Sequence, residues 1–249
     1  MSSKTSSKIL EKNWVVGPFQ CNCRLIACDQ TGEAALVDPG DEAARLMEAL
    51  RDLKTPSGAQ VRVRYLLHTH GHLDHVGATR DLREALQSQS QSQNQDQDHK
   101  STDVDALAPK ILLHSGDEPL YLQLRQQGQL FGIRYRDPLP LDGYLEHDQE
   151  FRVGALRVSV IHTPGHSPGS VCLRLHEDSD AGSRETIFSG DTLFQGSVGR
   201  TDLWGGDQDL MFRSIRERIL RLDGDTRVCP GHGPETTVGL EKRSNPFLI

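Results

Sequence analysis

The sequence predicts an α+β protein built as a four-layer αββα sandwich, in which two β-sheets pack face to face with helices on both outer sides. Two observations support this fold class. Short apolar runs typical of strands occur in two groups along the chain, and each group is accompanied by helix patterns. Several of these strands also end in a glycine- or proline-containing turn that carries a histidine or an aspartate. The chain has 249 residues, and we expect a single domain over residues 1–249.

The first half of the chain supplies the elements of the first predicted sheet. Hydrophobic periodicity predicts, in order, strands over 14–17, 22–28 and 34–37, a helix over 42–53, a strand over 61–67 and a helix over 74–85. Asp38-Pro39-Gly40 ends the third strand, because proline donates no backbone hydrogen bond and glycine favours a turn. Asp41 is then placed to cap the following helix.

A glutamine-rich segment interrupts the pattern after the second helix. Residues 87–98 read QSQSQSQNQDQD, in which glutamine alternates with serine, asparagine or aspartate and no side chain suits a core. Such composition buries too little apolar surface to offset the entropy of ordering. We therefore predict a disordered surface insertion over residues 87–106.

The second half of the chain carries a further series of strand and helix patterns. The predicted elements are, in order, a strand over 109–114, a helix over 116–127, a hairpin of strands 151–153 and 156–161, strands over 171–176 and 186–189, a helix over 207–222 and a strand over 226–229. The helix over 207–222 is amphipathic, with apolar marks at Leu210, Ile215, Ile219 and Leu222.

A cluster of ligand-type side chains follows the strand over 61–67. His70, His72, Asp74 and His75 lie within six residues, on a strand-to-helix loop where functional groups are commonly displayed. So many imidazole and carboxylate groups in one turn are best explained by a cation that they share. Neutral imidazole nitrogen and carboxylate oxygen suit zinc, iron or manganese. The alternative is a solvated polar loop with incidental histidines.

Three later strand-end loops carry the same kind of chemistry. His166 lies in the turn Thr163-Pro164-Gly165-His166, Asp191 follows Ser189-Gly190, and His232 lies between glycines after the last strand. Each loop taken singly has an ordinary structural explanation. Four such loops in one chain indicate a common metal centre, because strand ends on one edge of a sandwich lie close together.

Composition and charge exclude several classes of function. The net charge is -7 with no long basic run, which argues against a nucleic-acid surface. No apolar run reaches the roughly 20 residues of a membrane span, and the first residues lack the apolar core of a secretory signal. The five cysteines are odd in number and lie mostly in apolar strands, as reduced thiols in a cytoplasmic protein would. Cys21-x-Cys23 could be a metal pair or simply two small strand residues.

The ligand-type residues resemble those of the metallo-β-lactamase fold superfamily in identity and order. The pattern H-x-H-x-D-H, followed by a histidine, an aspartate and a histidine, is typical of that family. The resemblance implies two metal sites. One takes His70, His72 and His166, the other takes Asp74, His75 and His232, and Asp191 bridges them. It implies two divalent ions, with zinc expected and iron or manganese as alternatives.

Within the superfamily, the chain looks like the glyoxalase-II-like, or hydroxyacylglutathione hydrolase-like, branch. The motifs that carry this likeness are Phe19-Gln20-Cys21-Asn22-Cys23, Asp38-Pro39-Gly40, Gly190-Asp191-Thr192-Leu193-Phe194, Gly199-Arg200-Thr201-Asp202, Pro230-Gly231-His232-Gly233-Pro234 and the tail 241–247. Glyoxalase II proper adds a helical domain that holds glutathione. In this chain of 249 residues only 17 follow His232, so we expect the short single-domain form.

The resemblance implies hydrolysis of an acyl thioester of hydroxyacyl-glutathione type by a metal-bridging hydroxide. Asp74 and Asp191 are expected to be the catalytic carboxylates, acting as metal ligands. A thiol of pKa about 8.5 leaves without a proton donor, whereas an amide nitrogen requires one. Arg200, Lys242 and Arg243 are candidates to bind an anionic small-molecule substrate, and the alternative for each is a solvated surface charge.

Other functions compatible with the fold would require a different ligand set or additional sequence features. A mononuclear iron persulfide dioxygenase would use only two of the histidines and the bridging aspartate. A nucleic-acid phosphodiesterase would add a clamping domain and a basic surface, and a non-catalytic relative would have lost ligands. His68 and His162 precede the ligand loops and are candidates either to orient ligands or to serve as structural histidines. Sequence alone leaves the oligomeric state open.

Overall fold

The computed structural model describes residues 9–95, 108–177 and 184–249. Its strands are β1 Ile9–Val16, β2 Cys21–Cys28, β3 Glu33–Val37, β4 Arg62–Leu67, β5 Lys110–Leu113, β6 Gly143–Tyr144, β7 Glu150–Val153, β8 Leu156–His162, β9 Val171–Glu177, β10 Arg184–Gly190, β11 Leu193–Phe194, β12 Ser197–Val198, β13 Arg227–Pro230 and β14 Thr236–Thr237. Its helices are α1 Ala43–Leu50, α2 Leu73–Val76, α3 Thr79–Gln95, α4 Glu118–Leu122, α5 Leu124–Leu130, α6 Gln208–Ser214 and α7 Val238–Ser244. A 3₁₀ turn, Ser115–Asp117, precedes α4, and a π-helical turn, Ile215–Ile219, follows α6.

Two six-stranded sheets form the centre of the fold. The first has the order β1-β2-β3-β4-β5-β6, with antiparallel pairing from β1 to β3 and parallel pairing from β3 to β6. The second has the order β14-β13-β10-β9-β8-β7, with β10 and β13 parallel and its other pairs antiparallel. Within the described residues, no helix combines the length and the apolarity that a membrane span requires.

Strand β2 shows how the layers are built, because all of its residues are buried. Leu25 and Ala27 pack into the core between the first sheet and helices α1 and α3. Ile26 and Cys28 point to the opposite face and pack into the core between the two sheets, since successive strand residues alternate in direction. A third core lies between the second sheet, the π-helical turn and α7. The four-layer αββα sandwich is therefore confirmed.

The strand directions bring the predicted ligand loops to one edge of the sandwich. In the first sheet, β3, β4 and β5 are parallel and end on the same side. In the second sheet, β8 and β10 are both antiparallel to β9, and β13 is parallel to β10, so these three also end together. The two sheets are tied at this edge by backbone hydrogen bonds from Val171 N to Thr69 O and from Asn22 N to Gly231 O, of 2.8 and 2.7 Å.

The predicted helix over 74–85 is in fact two helices, α2 and α3, separated at Gly77. A Cβ at Gly77 would lie 2.4 Å from the carbonyl oxygen of Gly40, so only glycine permits this close approach. The next amide, that of Ala78, donates to the carbonyl of Pro39 at 3.1 Å instead of continuing the helix. The break anchors α2, with its ligand-type residues, against the turn that follows β3.

Two local predictions in this region are wrong. Asp41 does not cap α1: its Oδ1 accepts from the adjacent amide of Glu42, which itself adopts left-handed backbone angles. The glutamine-rich segment is helical over residues 87–95, where α3 continues to Gln95. Glutamine has good intrinsic helix propensity, and the Ser90 hydroxyl donates to the Leu86 carbonyl, so the chain simply extends a helix anchored upstream. Residues 96–106 of the predicted insertion lie outside the described residues.

Candidate metal centre

The first predicted ligand set converges at the edge where β4 and β8 end. His72 Nδ1 lies 2.8 Å from His166 Nε2, and His166 Nε2 lies 3.2 Å from His70 Nε2. His70 and His166 are buried, and His72 is half-buried. Three imidazole nitrogens so close to one another form a group that can hold one cation.

The second predicted set lies beside the first. His75 Nε2 is 3.3 Å from His232 Nε2, and His232 Nε2 is 3.2 Å from Asp74 Oδ2. The loop that carries His232 is fixed by Asn22, whose side-chain amide donates to the carbonyls of Pro230 and Gly233 at 3.0 and 2.9 Å. The two imidazoles and the carboxylate thus face a common point.

Asp191 lies between the two sets, with one oxygen toward each. Its Oδ2 is 3.7 Å from His166 Nε2, whereas its Oδ1 is 3.4 Å from His75 Nε2 and 3.6 Å from His232 Nε2. Oδ1 is buried and has no hydrogen-bond partner. A buried carboxylate oxygen without a partner is costly, and a cation at that point would satisfy it. The donors therefore fit two adjacent divalent cations.

The electrostatics of the two sets differ. Burial, together with the neighbouring imidazoles, lowers the pKa of His70 well below its usual value and that of His72 to about 3. Both rings are therefore neutral, as metal ligands must be. For His75 and His232 burial acts in the same direction, but other groups outweigh it. Cys21, followed by Asp191, Asp74 and Asp38, raises the pKa of His75, and Asp74 and Asp191 raise that of His232. In the second set, a cation would replace bound protons.

Two acceptors outside the sets orient the ligand rings. The Nδ1–H of His75 donates to Asp38 Oδ2 at 3.0 Å, and Asp38 also accepts from the amide and hydroxyl of Thr69 at 2.8 and 2.7 Å. The Nδ1–H of His166 donates to the carbonyl of Arg200 at 2.8 Å. Such contacts fix which nitrogen is free to bind a metal. His68 and His162 do not contact the ligand rings through these nitrogens: His68 Nε2 contacts Thr79 Oγ1, and His162 Nε2 donates to the Pro168 carbonyl.

Asp38 and Asp117 were not among the predicted site residues. Asp38 follows β3, and Asp117 follows β5 in a turn with Ser115 and Gly116. Both residues follow a strand at the edge that carries the ligands. The sequence signal that could have identified them is therefore the one used for the ligands, an acidic or histidine side chain in the turn after a predicted strand.

Cys21 lies beside the second set, and its thiol forms a further possible metal-binding group with His75 and His232. Its Sγ is 3.7 Å from His75 Nδ1 and 4.0 Å from Nε2, so it is nearer the nitrogen that faces Asp38. Burial raises the pKa of the Cys21 thiol to about 12. Cys23 packs into the core between the first sheet and its helices. The two cysteines therefore do not form a metal pair: only Cys21 faces the ligand residues, and Cys23 is a small core residue.

None of the predicted substrate-binding cations contacts a ligand side chain within the described residues, although the charge of Arg200 helps to lower the pKa of His72. Arg200 is exposed, and its guanidinium makes two hydrogen bonds to Asp202, of 2.6 and 2.7 Å, although its backbone carbonyl contacts His166. Lys242 and Arg243 lie on the exposed face of α7, and the Arg243 guanidinium folds back over Gly239. Their role in substrate binding stays a prediction.

His114 and His162 form a stacked pair whose titration predicts a pH-dependent stability. Their ring centroids are 4.0 Å apart, and burial together with the charge of His162 lowers the pKa of His114 to about 4. The unfolded chain binds a proton near pH 6.5, so stability is greatest above that pH and falls as the pH drops from about 6.5 towards 4.

We expect His114→Asn, which keeps an acceptor for the amide of Gly116, to reduce this pH dependence. Urea unfolding of the variant and of the wild type at pH 7.5 and pH 5 measures it. An unchanged difference between the two pH values would show that other groups cause the acid sensitivity.

Comparison with known proteins agrees with this geometry. The family model described as the metallo-beta-lactamase superfamily matches residues 16–232. Hydroxyacylglutathione hydrolase GloC from Haemophilus influenzae is 36% identical over 234 residues, covering 94% of this chain and 95% of that protein. The probable metallo-hydrolase YqgX from Bacillus subtilis is 35% identical, with 94% of each chain covered.

Solved structures with the same fold include two that are similar in sequence as well. BLEG-1 B3 metallo-beta-lactamase superimposes with a TM-score of 0.75 at 34% identity, covering 96% of this chain and 100% of that one. TTHA1623, solved in a di-iron-bound form, gives 0.71 at 38% identity, covering 95% and 100%. The chain therefore belongs to the metallo-β-lactamase superfamily and is a metal-dependent hydrolase of that family.

Proposed function

We propose that this protein hydrolyses an acyl thioester of hydroxyacyl-glutathione type at a dinuclear metal centre. The observation that carries the proposal is the position of Asp191, whose two oxygens face two separate three-residue ligand sets. The metals would be held by His70, His72, His166, Asp74, His75, His232 and the shared Asp191. Zinc is the first expectation, with iron or manganese as alternatives. A pair of such cations supplies hydroxide at neutral pH and polarises a carbonyl oxygen.

The side chains of the site favour a thioester over an amide. An amide nitrogen must be protonated as it leaves, whereas a thiolate of pKa about 8.5 leaves unaided. The carboxyl group of Asp74 is unsuited as a proton donor: although burial opposes this, the charges of His75 and His232 hold its pKa below the usual range. His166 is likewise committed, because its Nδ1–H is held by the carbonyl of Arg200.

The relatives support this choice and indicate the main rivals. GloC is named as a hydroxyacylglutathione hydrolase and covers nearly the whole chain. BLEG-1 is named as a β-lactamase, so β-lactam hydrolysis is a second candidate. TTHA1623 was solved with two irons, which keeps iron among the candidate metals. The likeness to ETHE1 from Myxococcus xanthus, at 22% identity, extends to the fold alone.

Metal analysis and a substrate panel test the proposal together. The protein is purified without added metal, its metals are counted per chain, and turnover is measured on a hydroxyacyl-glutathione thioester, a β-lactam and glutathione persulfide with oxygen. We expect two metals and a clear preference for the thioester. One iron with oxygen uptake would favour the persulfide dioxygenase alternative instead, and preference for the β-lactam would replace the thioester proposal.

Recognition of an anionic carrier is predicted to involve Arg200. Arg200→Ala should raise KM for a glutathione thioester several-fold and change kcat less, because only substrate binding is affected. Asp202→Asn frees the same guanidinium and should lower KM. A neutral thioester should be indifferent to both changes. Equal effects on both substrates would show that the Arg200–Asp202 pair supports the loop and does not bind the substrate.

The double change Lys242→Ala with Arg243→Ala tests the two cations of α7 with the same pair of substrates.

The remaining expectations concern partners and location. We propose a small-molecule substrate and a cytoplasmic location. Support for the second comes from the cysteines, all five of which are buried and unbridged. Reduced, buried thiols are typical of proteins in a reducing compartment.

A further inference from the structure

Asp117 is a buried carboxylate that joins two loops of the metal centre. Its side chain is fully covered, at the end of the 3₁₀ turn that follows β5. Oδ2 accepts from the amide of Gly71 at 2.8 Å and from the hydroxyl of Ser167 at 2.6 Å, and Oδ1 accepts from the amide of Gly169 at 2.5 Å. Each donor belongs to a loop that carries a predicted ligand.

The positions of these donors explain what the carboxylate holds together. Gly71 lies between His70 and His72, in a loop of the first sheet, and Ser167 directly follows His166, in a loop of the second. The three histidines of the first ligand set therefore come from two sheets, and Asp117 hydrogen-bonds to both loops. The centre of that set is the 2.8 Å approach of His72 to His166.

The contacts around Asp117 leave little room for adjustment. A Cβ at Gly169 would lie 2.5 Å from the amide nitrogen of Asp117, and one at Gly71 would lie 2.9 Å from its carbonyl oxygen. The two loops are therefore packed directly on the turn through glycine backbone. The Ser167 hydroxyl can rotate, but the amides of Gly71 and Gly169 cannot, so a change in their hydrogen bonds to the carboxylate must move the loops.

We infer that Asp117 is a positioning residue for the first metal site, setting the separation of His72 from His166 without touching the metal. An asparagine at 117 cannot replace it. The three donors are accepted by both carboxylate oxygens of Asp117. Asparagine has only one side-chain oxygen, so its NH2 group would face at least one of the donors. The inference rests on the proposed metal centre and is independent of which substrate that centre hydrolyses.

Glu241 provides a matched control for Asp117→Asn. It is also a buried carboxylate with three donors, accepting from Gly196 N, Thr236 Oγ1 and Asn245 Nδ2 at 2.8, 2.6 and 2.8 Å. Gly196 lies in the β11–β12 hairpin, Thr236 lies in β14 and Asn245 directly follows α7, so Glu241 joins α7 to the hairpin and to β14. Glu241→Gln therefore has the same chemical defect as Asp117→Asn, namely an amide in place of a buried carboxylate, but outside the ligand loops.

The test measures zinc affinity by competition with a chelating dye, in the wild type and in each variant. Asp117→Asn should weaken the binding of one zinc about 10- to 100-fold, the usual effect of removing a group that orients a ligand. Glu241→Gln should lower the melting temperature by a similar amount and leave both zinc affinities unchanged. Repeating Asp117→Asn in an Asp74→Ala background, where only the first set is complete, assigns the weakened site.

Ser167→Ala keeps the test decisive if Asp117→Asn does not fold, because it removes a single donor. Ser167→Ala should weaken the binding of the same zinc less than Asp117→Asn does, by about 2- to 10-fold, because one of the three hydrogen bonds is lost. Wild-type zinc affinity in a folded Asp117→Asn, or in Ser167→Ala when Asp117→Asn is unfolded, would overturn the inference. If the wild-type protein bound none of zinc, iron and manganese, the proposed metal centre itself would fail, which is a distinguishable result.

Discussion

Replacing Asp191 with asparagine is expected to lower turnover by about a thousandfold or more, with the protein still folded. Asparagine retains one acceptor oxygen and so can serve only one of the two ligand sets. The other set then loses the carboxylate that faces it, at His166 on one side or at His75 and His232 on the other. Turnover, metal content per chain and the thermal unfolding transition are the three measurements.

Asp207→Asn is a suitable control for this variant. Asp207 caps α6 by accepting from the amide of Leu210 at 2.9 Å, and asparagine caps a helix about as well as aspartate. It should keep full activity and both metals. Retention of two metals and normal turnover in Asp191→Asn would remove the bridging role from Asp191 and with it the main support for a dinuclear centre.

Asp74→Ala is expected to empty the second metal site and spare the first. Asp74 contacts His232 Nε2 at 3.2 Å and His75 Nε2 at 3.7 Å, whereas the first set consists of histidines and the shared aspartate. With its carboxylate gone, the second set retains two imidazoles and its share of Asp191, one anionic donor fewer than a tightly bound divalent cation would have in the wild type. We expect one metal per chain and a loss of turnover of about two orders of magnitude or more.

The same variant separates the two enzyme classes on this fold. In a mononuclear iron persulfide dioxygenase, Asp74 would be a spectator, and its replacement would leave both the metal content and the turnover unchanged. A matched comparison is Asp137→Ala, which removes an exposed carboxylate paired with Arg125 and should alter neither quantity. Two metals in Asp74→Ala would contradict the assignment of this residue.

The ligand-type residues could be predicted from sequence because the information is local. Each follows a strand that is recognisable by its apolar pattern, and each lies in a turn that contains glycine or proline. Parallel neighbours then bring such turns to one edge, so His70, His166 and His232 meet although they are far apart in the chain. The longer strands were predicted for the same reason, but β1 begins at Ile9 and not at residue 14, and the two-residue strands β6, β11, β12 and β14 were not predicted.

What sequence could not predict depends on contacts between distant segments. The break between α2 and α3 exists because Gly77 packs on the carbonyl of Gly40, which no helix pattern reveals. The function of Asp117 is visible only when the loops of Gly71 and Ser167 are seen to meet on it. The pairing of Arg200 with Asp202 likewise changes the charge available to a substrate. In the glutamine-rich segment, a rule based on composition overlooked helix propensity at residues 87–95.

The division of each ligand set between the two sheets has a consequence for folding. His70 and His72 follow a strand of the first sheet, and Asp74 and His75 lie in α2, which comes directly after it. His166 and His232 follow strands of the second sheet. Neither sheet alone carries a complete set, so a cation cannot bind tightly until the two halves of the chain have docked. Ions bound at the proposed centre would hold the two sheets together, and their binding free energy would add to the stability of the native state over the unfolded chain. The unfolding temperature of the protein would therefore rise with the concentration of free metal.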